Sequence, residues 1–453
     1  MTNNVAEPAS VPGMQRVVAR PRRVVASLVT LALLVTACGG SSSPTDLDAD
    51  TRDPIEMATE RWLERYREDA ASFVALSPDT PPFVEELARL AHEAAADAGG
   101  MLEDGATAGA HSEAVRAAAL MSGVAAVNEG FEALSAGGTD AFEAEVSAHD
   151  TAGEEVGAFV EPLRTFEPAN VSQADSLMSA YGTALDAVSF SLVGVELLER
   201  PGRDERETIW LLSLSAAYFA AAPVLGEAAA EQLSFGDGLD GPPITGDPRA
   251  MGLAFQSAAN AALDRFENDV ILATAEDQGI TDGEVKDRLS GFELDYSLSV
   301  AGLHLMDLLD EVFRDAPSES WAVLGGALTA YERTQALNAR YARYRPLSDD
   351  GSLPIVRWED PPAVEAAVPR ADARLAAMLD DLRMAEVTPV GVIADYEAGI
   401  VEWRTHGDVD DDTGSPDPTV GFEQLAYLWA GAIEAAVLFS LGGIEGPVTG
   451  DGS

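Results

Sequence analysis

Eighteen consecutive residues, Ile209–Gly226, carry no charge, and this run limits the fold more than any other feature. It reads IWLLSLSAAYFAAAPVLG, without the alternation of a half-buried strand and too long for a buried one, so it predicts a helix apolar on every side. Such a helix is either the centre of a helical domain or a membrane span. Abundant Ala and Ser, Pro223, and acids on both flanks (Asp204, Glu205 and Glu207, then Glu227 and Glu231) favour the buried centre. The small side chains Ser213, Ala216, Ala217, Ala220 and Ala221 let neighbouring helices approach closely. A second run, Leu425–Leu441, holds one charge, Glu434, and reads the same way.

The rest of the chain is patterned for helices too. Arg52-Asp53-Pro54 introduces a helix over 55–76, with Trp62, Tyr66, Phe73 and Leu76 near helical spacing, and Pro81-Pro82 opens the next, which Gly99-Gly100 ends near 98. Further helices are expected over 111–135, 139–161, 172–199, 204–234, 248–277, 282–314, 318–344, 362–385, 388–404 and 419–442. Asp204…Glu207, Ser172…Asp175 and Thr281…Glu284 supply N-cap patterns. The best strand candidate, Leu353–Trp358, is interrupted by Pro354. The fold class expected is therefore all-α, an array of about twelve helices with the two apolar helices at its centre. Two packed bundles, 54–235 and 247–443, separate at the Gly/Pro-rich loop Gly236–Pro243, and residues 444–453 form a disordered tail.

The only cysteine, Cys38, closes a charge-free run of 14 residues, Val24–Ala37, that follows Arg20-Pro21-Arg22-Arg23. That run is too short to span a bilayer stably, which takes roughly 20 residues. Leu34-Val35-Thr36-Ala37-Cys38, followed by Gly39-Gly40-Ser41-Ser42-Ser43-Pro44, resembles the lipobox of bacterial lipoproteins. The resemblance implies a signal peptide over 1–37, a diacylated Cys38 and a tether over 38–53, on a protein attached to the membrane outside the cytoplasm. Two acyl chains hold a protein stably where one does not.

Charge narrows the partners. Residues 1–37 contain four arginines and one glutamate, which leaves 24 basic against 76 acidic side chains in the mature chain and a net charge of −52. Such a field repels nucleic acid and anionic headgroups alike, so nucleic-acid binding is excluded and membrane attachment falls to the lipid. A protein partner at the envelope remains open. A 47% hydrophobic composition separates the chain from a disordered acidic tail.

No GxSxG, P-loop, Gly-rich dinucleotide turn or HExxH occurs, so no catalytic residues are singled out and no cofactor is required. Three groups are candidates for binding. His304 lies on a predicted helix with Glu293, Ser297, Asp307 and Glu311 along one stripe, beside the apolar face of Leu298, Leu305 and Leu309. Gly302, His304 and Asp307 are similar to the GxHxxE motif of the imelysin family, with Asp in place of Glu. The resemblance implies a metal-handling helical protein with His304 and Asp307 as ligands. Asp408, Asp410 and Asp412 alternate on a loop, as calcium's oxygen coordination requires, but Thr413 and Thr419 break the EF-hand pattern. Arg333, Arg340, Arg343 and Arg345, interleaved with Tyr331, Tyr341 and Tyr344, form a basic island that either binds an anion or partner or neutralises neighbouring helices. Glu145/His149 and Glu402/His406 are i,i+4 pairs expected to interact locally on helix surfaces. The reading reached is a lipid-anchored binding or scaffold module. The alternative is a metal-handling or hydrolytic helical protein using His304.

Overall fold

The computed structural model describes residues 53–72, 81–149, 151–266, 313, 316–341, 361–406 and 418–445. These form helices only: α1 (Pro54–Ser72), α2 (Pro82–Asp104), α3 (Thr107–Gly137), α4 (Thr139–Ala148), α5 (Ala152–Thr165), α6 (Val171–Glu199), α7 (Glu205–Phe235), α8 (Pro248–Arg265), α9 (Glu319–Tyr341), α10 (Pro361–Met384), α11 (Val390–His406) and α12 (Pro418–Gly442). The all-α reading holds, and the described residues include no strand. Cys38, His304, Asp307, Asp408, Asp410, Asp412, Arg343, Tyr344 and the Leu353–Trp358 segment lie outside the described residues, as do the side chains of Arg340 and Tyr341 at the end of α9.

Local chemistry sets most helix starts. Asp204 accepts from the Glu207 N–H at 2.8 Å, while Glu207 accepts from the Arg203 N–H at 2.7 Å, a reciprocal arrangement that satisfies two N–H groups at the start of α7. Asp247 caps α8 through the Ala250 N–H, with Pro248 at the first helical position. α2 runs through Gly99 and Gly100 and stops at Gly105, whose φ of 79° is the left-handed conformation that glycine adopts without strain. Glycine inside a helix costs only about 1 kcal/mol relative to alanine, which burial of Ala98 and Met101 on the same helix outweighs. The helix expected over 139–161 is broken at His149, where the backbone turns into α5.

α6 and α7 pack along their lengths at the centre, joined by α3, which is buried over most of its surface. By length and composition α6 and α7 could each cross a membrane, but 78% of the most apolar stretch of α7 is covered by other helices. The close approach of α6 and α7 depends on small groups. Ser215 donates to the Gly194 carbonyl at 2.7 Å, and a Cβ on Gly194 would meet the Phe219 ring at 2.7 Å. Gly194→Ala should therefore cost about 1–3 kcal/mol by overpacking, read as a lower denaturant midpoint; an unchanged midpoint would mean that the two helices slide apart freely.

One continuous apolar core runs from Trp62 on α1 to Leu441 on α12. The loop between α7 and α8 is fastened on two sides. Asn170, which caps α6, and Ser172 on that helix donate to the carbonyls of Leu239 and Asp240, and the Thr245 and Gly246 N–H groups donate to the Leu441 carbonyl at the end of α12.

Candidate functional site

Four carboxylates from four helices come together inside this core: Asp175 on α6, Glu332 on α9, Asp395 on α11 and Glu434 on α12. Asp175, Asp395 and Glu434 are 1%, 2% and 5% exposed. Glu332 is partly exposed as a residue, yet its Oε1 is buried. Helical spacing prepares the meeting. Asp175 and Ser179 are i,i+4 neighbours on α6, and Gly391 and Asp395 are i,i+4 neighbours on α11, so each pair shares one face of its helix.

The two faces meet at the start of α11. Asp175 Oδ2 accepts from the Gly391 N–H at 2.6 Å, and the N–H groups of Val390 and Val392 also favour its charge. Three residues earlier, Ser172 Oγ accepts from the Thr388 N–H at 2.9 Å. The Ser172…Asp175 spacing thus does not cap its own helix, which Asn170 caps through the Gln173 N–H; it caps a helix 216 residues later. α11 repeats the device: Glu397 Oε2 accepts from the Ala108 and Gly109 N–H groups at 3.1 and 2.9 Å, at the start of α3. Each helix terminus places its positive end against a carboxylate of another helix.

Gly391 is indispensable to the packing of this site. A Cβ there would collide with Ser179 Oγ and stand 3.2 Å from Glu434 Oε2 and 3.4 Å from Asp175 Oδ1. Oxygens of α6 and α12 therefore converge on one point of α11. Across the cluster, Asp175 Oδ1, Ser179 Oγ, Glu332 Oε1 and Asp395 Oδ2 are buried with no hydrogen-bond partner.

Burial governs the electrostatics. Loss of water raises the Asp175 carboxyl to about 7, against the pull of the three N–H groups. Burial, and then the charge of Asp175, holds Asp395 well above the usual carboxylate range. Glu434 is raised by burial and by Asp395, Glu332 and Asp175, while Glu332 is raised by burial and Asp395 and partly relieved by Arg333. Glu397 is raised to about 7 by burial. Like charges in a dry setting repel strongly, so the cluster retains its negative charge only with a compensating positive charge beside it.

Arg333 supplies little of that charge, because its guanidinium is engaged by Asp186 of α6 in a buried ion pair. This member of the basic island neutralises a neighbouring helix, and Tyr331 packs against Phe255.

Two further groups carry ionisable side chains. His111 of α3, fully buried, faces Glu231 of α7 at 3.2 Å, and the same carboxylate accepts from Trp62 Nε1 at 2.6 Å and pairs with Arg61. The Phe235 ring packs edge-on to the imidazole. This set ties α1, α3 and α7 together. On the surface, Glu129, Glu145 and His149 bring three ligand atoms within 4.8 Å of one another, so the Glu145/His149 pair of α4 gains a third member from α3.

The sequence reading did not single out any of the four core carboxylates as a site. The signal was there: Glu434 is the lone charge in an apolar run, and Asp175 and Asp186 interrupt the apolar α6. An isolated acid on an otherwise buried helix has to be compensated from another element.

Comparison with protein-family models, curated proteins and solved structures gives no match.

Proposed function

We propose that the chain is a lipid-anchored extracytoplasmic binding protein that holds a positively charged ligand at its core carboxylates. One observation carries the ligand part: four acidic side chains, drawn from four helices, come together in the core, and one oxygen each of Asp175, Glu332 and Asp395 has no hydrogen-bond partner there. A cluster serving stability alone is costly, since apolar residues of similar volume hold helices together at least as well. The lipobox resemblance around Cys38 supports the anchor, and the net charge of the mature chain supports the sign of the ligand.

Native mass spectrometry of the full lipidated chain, extracted from membranes without denaturation, tests the binding. A mass above that of the diacylated polypeptide, lost in Glu434→Gln, is expected; a bare polypeptide in both would refute it. The anchor has its own test. Cys38→Ser should move the protein from the membrane pellet to the soluble fraction, because a net charge of −52 repels anionic headgroups and leaves the lipid as the hold. Retention in the pellet would point to α6 and α7 as membrane-binding elements instead.

A further inference from the structure

We infer that the core cluster binds a hard divalent metal cation, held between Asp175, Ser179 and Glu434, with Asp395 and Glu332 supplying further charge. The inference rests on the reading of the cluster as a site for a positive ligand. Three observations narrow that ligand to a bare ion. The first is convergence: one oxygen each of Ser179, Glu434 and Asp175 lies within 3.4 Å of a single point, the place a Cβ on Gly391 would take, so ligand oxygens of two helices face one small volume. An ion would lie farther from the backbone than that absent Cβ, between the three oxygens.

The second is donor chemistry. The group offers carboxylate and hydroxyl oxygens, with no imidazole or thiol among these five residues, which is the ligand set of Ca²⁺, Mg²⁺ and Mn²⁺ rather than of softer metals. The third is unmet bonding capacity: the buried atoms Asp175 Oδ1, Glu332 Oε1 and Asp395 Oδ2 have no hydrogen-bond partner, and a cation beside them would replace the water that burial removed. Ser179 Oγ, on a residue only 3% exposed, is likewise unpartnered and stands beside the Glu434 and Asp175 oxygens. The core carboxylates are spaced more widely than the surface trio Glu129, Glu145 and His149, and rotation of these side chains about their own bonds would close the coordination.

The test uses the full chain in detergent, stripped with EDTA, in about 0.3 M KCl to screen adventitious binding to its acidic surface. Ca²⁺, Mg²⁺, Mn²⁺, Zn²⁺ and putrescine are added separately, and melting temperature and calorimetric heat are followed. At least one of the hard metals should raise the melting temperature by about 3 °C at a hundredfold excess over its dissociation constant. Glu434→Gln and Asp395→Asn, each the isosteric amide, should fold and lose that response, while His149→Ala keeps it. A response lost in His149→Ala and kept in both amides overturns the inference by placing the metal on the surface trio. A putrescine response lost in the amides, with none for the metals, also overturns it but leaves the cation-binding reading standing. No response to any cation removes both.

Discussion

In EDTA, the chain should unfold at a clearly higher temperature near pH 5 than near pH 8. The sign follows from the direction of the shifts. Asp175 is ordinarily a carboxyl of 3.8 and is raised to about 7 in the fold, so between those values the native chain holds a proton that the unfolded chain has released. Stability is therefore lost as pH rises through that window, and the penalty is complete only above about 7. At 1.36 kcal/mol for each unit, the part of this window that lies above pH 5 makes Asp175 alone contribute on the order of 3 kcal/mol to the difference. Glu397 adds a penalty of the same sign between 4.5 and about 7. Asp395, Glu332 and Glu434, all raised, add to it as well. Groups whose carboxyls are lowered, such as Glu86 beside Arg89, oppose the trend only below their ordinary value of 4.5. Thermal melts across this range check the result. Glu434→Gln should flatten the profile, because one of the repelling charges is gone. Equal melting temperatures at the two pH values would mean that the carboxylates are compensated by the protein itself.

Arg333→Ala should cost about 3–5 kcal/mol, the usual consequence of removing one partner of a buried pair. Asp186 lies on α6, and burial raises its carboxyl even with Arg333 beside it; burial outweighs the ion pair. Without the guanidinium the carboxylate is left in the core without its ion-pair partner, and Glu332 loses the positive neighbour that relieves it. Urea denaturation gives the loss directly. Arg333→Met combined with Asp186→Asn, which removes both charges and keeps the volume, should recover much of it. A loss below about 1 kcal/mol for Arg333→Ala would place the pair among surface ion pairs.

Helix positions were legible because helix formation is decided locally. Asp204 and Glu207 close the start of α7 within four residues of sequence, and the uncharged run Ile209–Gly226 had to find cover. Misreadings arose where a local pattern serves a distant partner. Ser172 and Asp175 have the spacing of an N-cap, but the N–H groups they meet belong to Thr388 and Gly391. α3, expected only as a helix, carries His111, Glu113 and Arg116 near its start. It is buried nonetheless, with Arg116 hydrogen-bonded to Glu113 and His111 set against Glu231.

The amino-acid sequence by itself determined that the described chain is helical, where many helices begin, and that α7 and the end of α12 are covered. Periodicity, proline, glycine and capping side chains act over a few residues, so a linear reading finds them. Only the tertiary structure decided which acids become neighbours. Asp175, Glu332, Asp395 and Glu434 are far apart in the chain and sit in unrelated local contexts. Their convergence depends on how α6, α9, α11 and α12 pack, and on the missing side chain at Gly391 that lets α11 come so near the oxygens of α6 and α12. Packing of this kind is fixed by the shapes of whole helix surfaces, which no short stretch of sequence contains.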